Sequence, residues 1–463
     1  MLSLTLTIVV ILSVVCVLRP NFLLICCVLI GFAQDPLRKL IAGEPVFMVV
    51  MVGVVFGAGM LGYFLRDGLR SLSEIQVWTP SFKIPILLFF FLVFYQTIYS
   101  FIAYENIILT GIGVAAYIAP LFAISISYFA IRNNKEFQHF LLLYCLFSCA
   151  LAVTVYLSFS GIEHKIFKEV GAGLVIYDQG TILKAHSGFM RTSEVAGWHL
   201  GAGASFLLIL AFASRNKSTM LLSTIAIVVL IVAIGLTGRR KMIMQFFIFA
   251  CLYSILFMYF RRNISAQVLL AVVIVIGIIW GVSFFVFPSL AQSNIDLYYA
   301  RGISVFADAD ERFKTLGLQS ISWAINRVGW FGGGVGIASQ GTQSLGVSIA
   351  GGAGEGGLGK IVAELGVPGL LVSLWLVYTT VRFFYKTLNF VSRTDTPTSR
   401  VAIGITAFAL SNVPTYIVAS QVYGDLFILI LLGFLVGFVF ALPKVMFIEA
   451  ERQQLEQKQN LDL

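Results

Sequence analysis

Apolar runs of about 20 residues, the length a helix needs to cross a bilayer, succeed one another along almost the whole chain. They predict spans at Leu2–Leu18, Phe22–Phe32, Val46–Leu65, Ile84–Ala103, Ile107–Ile131 and Phe137–Phe159. After a polar interval, residues 160–194, the series resumes with Val195–Ala213, Met220–Leu236, Met242–Phe260 and Val268–Phe287. A longer interval, residues 288–360, precedes Ile361–Phe384, Val401–Ala419 and Leu426–Ala441, and a polar tail, residues 443–463, follows. Phe22–Phe32 is too short to cross alone and Arg19-Pro20 interrupts a continuous helix, so the expected count is about twelve or thirteen spans. The expected fold class is all-α: one polytopic transmembrane helical bundle filling residues 1–463, with its longest loop between the tenth and eleventh spans.

Composition narrows the class. Of the 463 residues, 59% are hydrophobic and 11% charged, with a mean hydropathy of +0.94, against about 25% charged residues in soluble domains. No stretch remains for a separate soluble core, which excludes a soluble enzyme on a membrane anchor. Cys16, Cys26, Cys27, Cys145, Cys149 and Cys251 all sit in apolar runs, without a disulfide framework or metal-chelating spacing, and read as packing residues. Leu2–Leu18 has no basic stretch before it and no small-residue cleavage site after it, and reads as a retained span.

Charge orients the spans, because Lys and Arg in short loops favour the cytoplasm. One alternate set of loops is basic: Arg66, Arg70 and Lys83; Arg132 and Lys135; Arg215 and Lys217; Arg261 and Arg262; Arg382, Lys386, Arg393 and Arg400. The tail, with Lys444, Arg452 and Lys458, joins that set and is expected in the cytoplasm. The opposite hairpins, Tyr104 to Asn106 and Gln421 to Asp425, carry no Lys or Arg, and both polar intervals fall on that outer side.

Arg239-Arg240-Lys241, in a short outer hairpin, breaks the rule, and Lys165, Lys168, Lys184, Arg191, Arg301, Arg312, Lys314, Arg327 and Lys360 share its face. Arginine grips phosphate bidentately and keeps its charge, so such a cluster suits a diphosphate or another polyanion. Lipid headgroups explain any single one of these residues equally well, but the triplet less well.

Glu311-Arg312 opens an amphipathic stretch in the long interval, with Phe313, Leu316, Ile321, Ile325 and Val328 at broadly helical spacing, which predicts a helix lying on the membrane. The Gly-rich segment from Gly332 to Gly359 predicts either a loop that approaches a substrate or a plain connector. Within it, Gly354 to Lys360 has P-loop spacing, but Ile361 stands where a magnesium-holding Ser or Thr belongs and no strand precedes it.

Groups able to move a proton are few. Of four histidines, His186 sits with Arg191 and Glu194 in one short outer segment, which predicts a shared site; His164 reads as an ordinary loop residue. Glu355 and Glu364 stand at the mouth of a span, where an ionised group needs a partner or a task, and Lys360 is the expected partner for either. Span centres are almost free of ionisable groups and the two halves show no repeat, which counts against a transporter.

The segment from Glu355 through Leu358, Glu364 and Gly366 to Gly369 resembles the His-Asn-x-x-Leu-x-x-x-x-Glu-x-Gly-x-x-Gly block of bacterial O-antigen polymerases and O-antigen ligases, membrane glycosyltransferases of exopolysaccharide and lipopolysaccharide pathways. Arg312 followed by Phe331-Gly-Gly-Gly-Val-Gly336 is similar to that family's Arg, amphipathic helix and Gly-Val-Gly signature. Leu236-Thr-Gly-Arg239-Arg240 is similar to its Leu-Thr-x-Ser-Arg hairpin, and Phe189-Met-Arg191 with Glu194 to its upstream Arg segment. The likeness covers roughly the second half of the chain. It departs at Glu355, where the ligases carry a functional histidine, and so leans toward polymerase.

The resemblance implies a GT-C-like bundle in a bacterial inner (plasma) membrane, acting on an undecaprenyl diphosphate-linked oligosaccharide at the outer face. It implies inverting transfer without a metal or other cofactor. Arg191, Arg240 and Arg312 would stabilise the leaving diphosphate, assisted by Arg239 or Lys241. Glu355 would be the first choice of base and His186 the second, supported by Glu194, Lys360 and Glu364. A chain-length regulator of the same pathway is an expected partner alongside membrane lipid; nucleic acid is not. Two other readings remain: a lipid-linked sugar flippase, and a non-catalytic scaffold, for which the outer cations would scatter instead of lining one cavity.

Overall fold

Asparagine and threonine set the short hairpins of the computed structural model. Asn106 accepts from the N–H groups of Ile108 and Leu109, and Asn133, Asn216 and Thr396 likewise each cap the helix that follows. The structure describes residues 2–67, 80–131, 133–170, 175–178, 181–214, 216–261, 298, 309–339, 356–393 and 395–461. The long helices in chain order are α1 (Leu2–Leu18), α2 (Leu23–Leu40), α3 (Met51–Asp67), α4 (Lys83–Tyr104), α5 (Ile107–Ala130), α6 (Asn134–Phe159), α7 (Ser193–Ser214), α8 (Lys217–Leu236) and α9 (Arg240–Arg261). Next come α10 (Ala309–Arg312), a π-helical turn (Phe313–Leu318), α11 (Gln319–Val328), α12 (Gly357–Val391), α13 (Pro397–Val418) and α14 (Leu426–Leu461). Eleven helices among the described residues are long and apolar enough to cross a membrane, and α1, with 17 residues, falls just short.

One expectation is corrected. Phe22–Phe32 is not an isolated short run. After a break at Arg19-Pro20, α2 continues through Gln34, Asp35, Arg38 and Lys39, which are buried against protein partners and so need not meet lipid. The bundle is all-helical, as expected, and the first polar interval adds one short hairpin in which β1 (Val175–Asp178) pairs antiparallel with β2 (Thr181–Lys184), with Val175 opposite Lys184. Ionisable groups stand toward span ends, Asp35 late in α2 and Glu364 in the second turn of α12. The expected span Val268–Phe287 lies outside the described residues.

α7 is buried on nearly all sides, as a helix apolar all round should be, and α6, α8, α9 and α13 surround it. α14 packs along α5. There Gly433 and Gly437 lie directly on the backbone of Pro120 and Ile124, and any Cβ would collide with it, the small-residue contact that lets helices meet without a hydrophobic driving force.

The hairpins sort to two ends. At one, Arg261 bonds Ser392, Asp395 and Ser399, and Arg400 bonds Asp395 and the Phe212 carbonyl. At the other meet the first polar interval, the turn between α8 and α9, the α10–α11 segment, the start of α12 and the end of α13.

The glycine run after α11 enters the bundle. Gly333 N–H bonds the Ala363 carbonyl, Val335 N–H the Gln96 carbonyl, and Val367 N–H the Trp330 carbonyl. Gln96, Ser100 and Tyr104 of α4 donate to the carbonyls of Phe331, Val335 and Gly333. Non-helical backbone at this depth survives only when protein satisfies its polar groups, and one polar stripe of α4 does so. Gly334 and Gly336, at φ +103° and +92°, press on Ser100 and Leu109, and α12 breaks at Gly366 (φ 74°) where Phe331 crosses it. Residues 332–339 are therefore a packed re-entrant segment; residues 340–355 of the glycine-rich stretch lie outside the described residues.

Candidate functional site

Arg240 and Lys241 open α9, and Arg312 closes α10. The three border one cleft of about 200 Å³, whose other walls are Met244, Ile248, Ala309, Phe313, Leu316, Pro414, Thr415, Val418, Ala419 and Gln421. Two cations in the first turn of α9 oppose its dipole, an arrangement that disfavours the empty helix end and favours a bound anion. Leu316 sits in the π-helical turn, and such turns are frequent at functional sites. Below the cations the walls are apolar down to Ile248, two turns along α9.

Glu194 balances this charge from the first turn of α7. Its Oε1 lies 2.7 Å from Lys241 Nζ and 3.2 Å from Arg239 Nη1. Arg239 Nε also donates to Ser193 Oγ at 2.8 Å. Behind Ser193 lies Glu169, 6% exposed and hydrogen-bonded to Ser193, with Arg239 and Lys39 beside it. Burial pushes the Glu169 carboxyl up to about 7, against the pull of Arg239 and Lys39. The Lys39 ammonium donates to the carbonyls of Ile166, Gly188 and Met190.

Arg191 stands apart from the cleft. Its Nη2 lies 2.7 Å from Asp425 Oδ2, and its backbone N–H donates to Asp35 Oδ2 at 2.9 Å. Beside this pair His199, fully buried, bonds the Tyr144 hydroxyl at 2.6 Å and stacks on Phe427. His186 is elsewhere again, 3.1 Å from Ser158 Oγ and against Phe159 and Tyr298. Burial lowers it to about 4, aided by Lys184, so at neutral pH its imidazole is uncharged and weakly basic. The expected shared site of His186, Arg191 and Glu194 is thus divided into three separate environments.

Glu364 is fully buried and accepts from Tyr117 OH at 2.6 Å, Ala338 N–H at 3.0 Å and Ser339 Oγ at 3.4 Å. The expected Lys360–Glu364 pair does not form: Glu364 is occupied by the re-entrant segment, and Lys360 has no ion-pair partner among the described residues. Glu355 lies outside the described residues, as does Arg301. Lys168 pairs with Glu44, and Lys314 with Asp310.

Asp35, Lys39, Glu169 and Asp425 belong to this constellation, and the sequence pattern alone does not point to them. Asp35, Lys39 and Asp425 carry a signal, each an ionisable residue beside an apolar run, but Asp35 and Lys39 read as loop when the span ends at Phe32; Glu169, inside the polar interval, carries none. No protein-family model matches the chain, and no curated protein matches it significantly.

Proposed function

We propose that the chain is a glycosyltransferase that uses a lipid diphosphate-linked oligosaccharide, and that it is a polymerase lengthening a lipid-linked glycan at the outer face of a bacterial plasma membrane. The convergence of Arg240, Lys241 and Arg312 on one cleft with apolar walls carries this reading. A scaffold has no need to gather three cations over a greasy groove. The cleft is smaller than the 300–1,000 Å³ of a site enclosing a whole small molecule, which suits a diphosphate head whose polyprenyl chain continues into lipid.

In this reading an acceptor sugar hydroxyl attacks the anomeric carbon from the side opposite the diphosphate. The new glycosidic C–O bond forms as the bond to the leaving phosphate oxygen breaks, with inversion, and the hydroxyl proton passes to a carboxylate, for which Glu355 is the candidate. Arg240, Lys241 and Arg312 neutralise the charge that grows on the leaving diphosphate, the charge for which a divalent ion is otherwise used. Arg239 and Glu194 hold Lys241 in place, while Arg191, engaged by Asp35 and Asp425, fixes the start of α7. His186, uncharged and apart from the cleft, is the weaker choice of base. The topology that goes with this reading puts the cleft outside and the tail of α14 in the cytoplasm.

Transfer to a separate acceptor, the ligase reaction, uses the same cleft. A flippase is favoured by one observation, the break of α12 at Gly366 beside buried Glu364, since transport sites form at interrupted helices. That break is filled by the re-entrant segment, and Glu364 is held by Tyr117, Ala338 and Ser339.

A photoreactive polyprenyl diphosphate tests the site. Cross-links at Met244, Ile248 or Val418, competed by unlabelled undecaprenyl diphosphate, are expected. Labelling confined to the Gly366–Glu364 region contradicts the proposal.

A further inference from the structure

The carboxyl of Glu169 does not reach the cleft, yet a continuous line of contacts joins the two. Glu169 bonds the hydroxyl and backbone N–H of Ser193, and the same hydroxyl accepts from Arg239 Nε at 2.8 Å. Arg239 Nη1 donates to Glu194 Oε1 at 3.2 Å, and that oxygen takes Lys241 Nζ at 2.7 Å. Lys241 lines the cleft with Arg240 and Arg312. Glu169 Oε1 is buried and has no hydrogen-bond partner among the described residues, so the ionised form is incompletely solvated where it stands.

The groups facing Glu169 come from every element packed against it. α2 brings Lys39, with Glu44 beyond it paired to Lys168; α7 brings Ser193 and then Glu194; the turn before α9 brings Arg239. The loop itself is fixed by Val170 N–H on the Arg191 carbonyl. Two cations and one uncommitted carboxyl oxygen leave the charge of this cluster to be decided by a single proton.

We propose that Glu169 is a positioning residue for the cation cleft: as an acid it leaves Arg239, Glu194 and Lys241 biased toward holding an anionic lipid headgroup, and as a carboxylate it withdraws that bias. This rests on reading the cleft as a lipid diphosphate site. The acid form holds the ligand more tightly, so affinity falls as pH rises through neutrality, where this buried carboxyl ionises. Loss of that one proton is expected to lower affinity by about tenfold between the fully acid and the fully ionised forms.

The test is binding of undecaprenyl diphosphate to the full-length protein in detergent, compared at about pH 6 and about pH 8. The wild type is expected to lose about fivefold in affinity over that interval, which covers most of the titration, and Glu169→Gln to keep the acid-side affinity throughout. The comparison removes the ligand's own ionisation, which both proteins share. Identical pH profiles overturn the role of Glu169 and leave the cleft reading intact. No binding by either protein at any pH removes the cleft reading and this proposal with it. Should Glu169→Gln not fold, infrared titration of the wild type decides: a protonated carboxyl band that is lost on passing neutrality supports the proposal, and its absence overturns it.

Discussion

Arg191 Nη2 and Asp425 Oδ2 lie 2.7 Å apart in the interior, tying the segment before α7 to the N-terminus of α14. Asp425 also caps α14, accepting from the Ile428 N–H at 3.1 Å. Removing one partner of a buried pair costs about 3–5 kcal/mol when the other charge is left uncompensated, and Asp35, 4.0 Å from Arg191 Nη1, keeps part of that compensation. Asp425→Ala is therefore expected to lower stability by about 2–4 kcal/mol, the lost cap included, read as thermal unfolding in detergent. A loss below about 1 kcal/mol would show that the pair is not formed.

The re-entrant segment makes a second prediction. Gly336 has φ +92° and no room for a Cβ beside the Leu109 carbonyl, whereas Gly161, at φ +81°, has nothing within 4 Å. Gly161→Ala should cost about 1 kcal/mol, the backbone term alone. Gly336→Ala should cost about 2–4 kcal/mol, because overpacking is added, and should speed proteolysis between α11 and α12. Equal effects at the two positions would mean that the segment is not packed as described.

Acid sensitivity follows from His186. Its folded-state value, about 4, lies below the ordinary 6.5, so its contribution is fully present above 6.5 and is lost as pH falls toward 4. The shift corresponds to at most about 3 kcal/mol. His186→Gln should flatten stability between pH 6.5 and 4. Glu169 has the opposite sign: raised from 4.5 to about 7, it contributes stability below 4.5 that is lost as pH rises to 7. A His186→Gln curve that still falls with the wild type over that acid interval would contradict the assignment.

The helical bundle could be read from apolar run length, and the hairpins from charge. The cations that line the cleft could be read too, because Arg239-Arg240-Lys241 is a dense basic run between two apolar runs, and Arg312 stands at the head of an amphipathic stretch. What could not be read is pairing. Nothing local to Arg191 announces that Asp35 and Asp425, 156 and 234 positions away, will meet it. Likewise, Gln96, Ser100 and Tyr104 look like stray polar residues in a span until the glycine segment they serve is laid against them. The pattern ends α2 too early for the same reason: Gln34, Asp35 and Lys39 end an apolar run in sequence but continue the helix once buried partners satisfy them. No single position carries such long-range compensation.

The most direct test of the central claim is transfer by the purified protein in reconstituted membranes, with lipid diphosphate-linked repeat units as the only donor and acceptor. A ladder of longer lipid-linked glycans is expected from the wild type. Stably inserted Arg240→Ala and Arg312→Ala should each reduce it by roughly 10²–10³-fold, the usual effect of removing one charge-stabilising donor. Transfer only to an added separate acceptor would make the protein a ligase. Lipid movement across the bilayer without any transfer, or an undiminished ladder from both variants, would contradict the account.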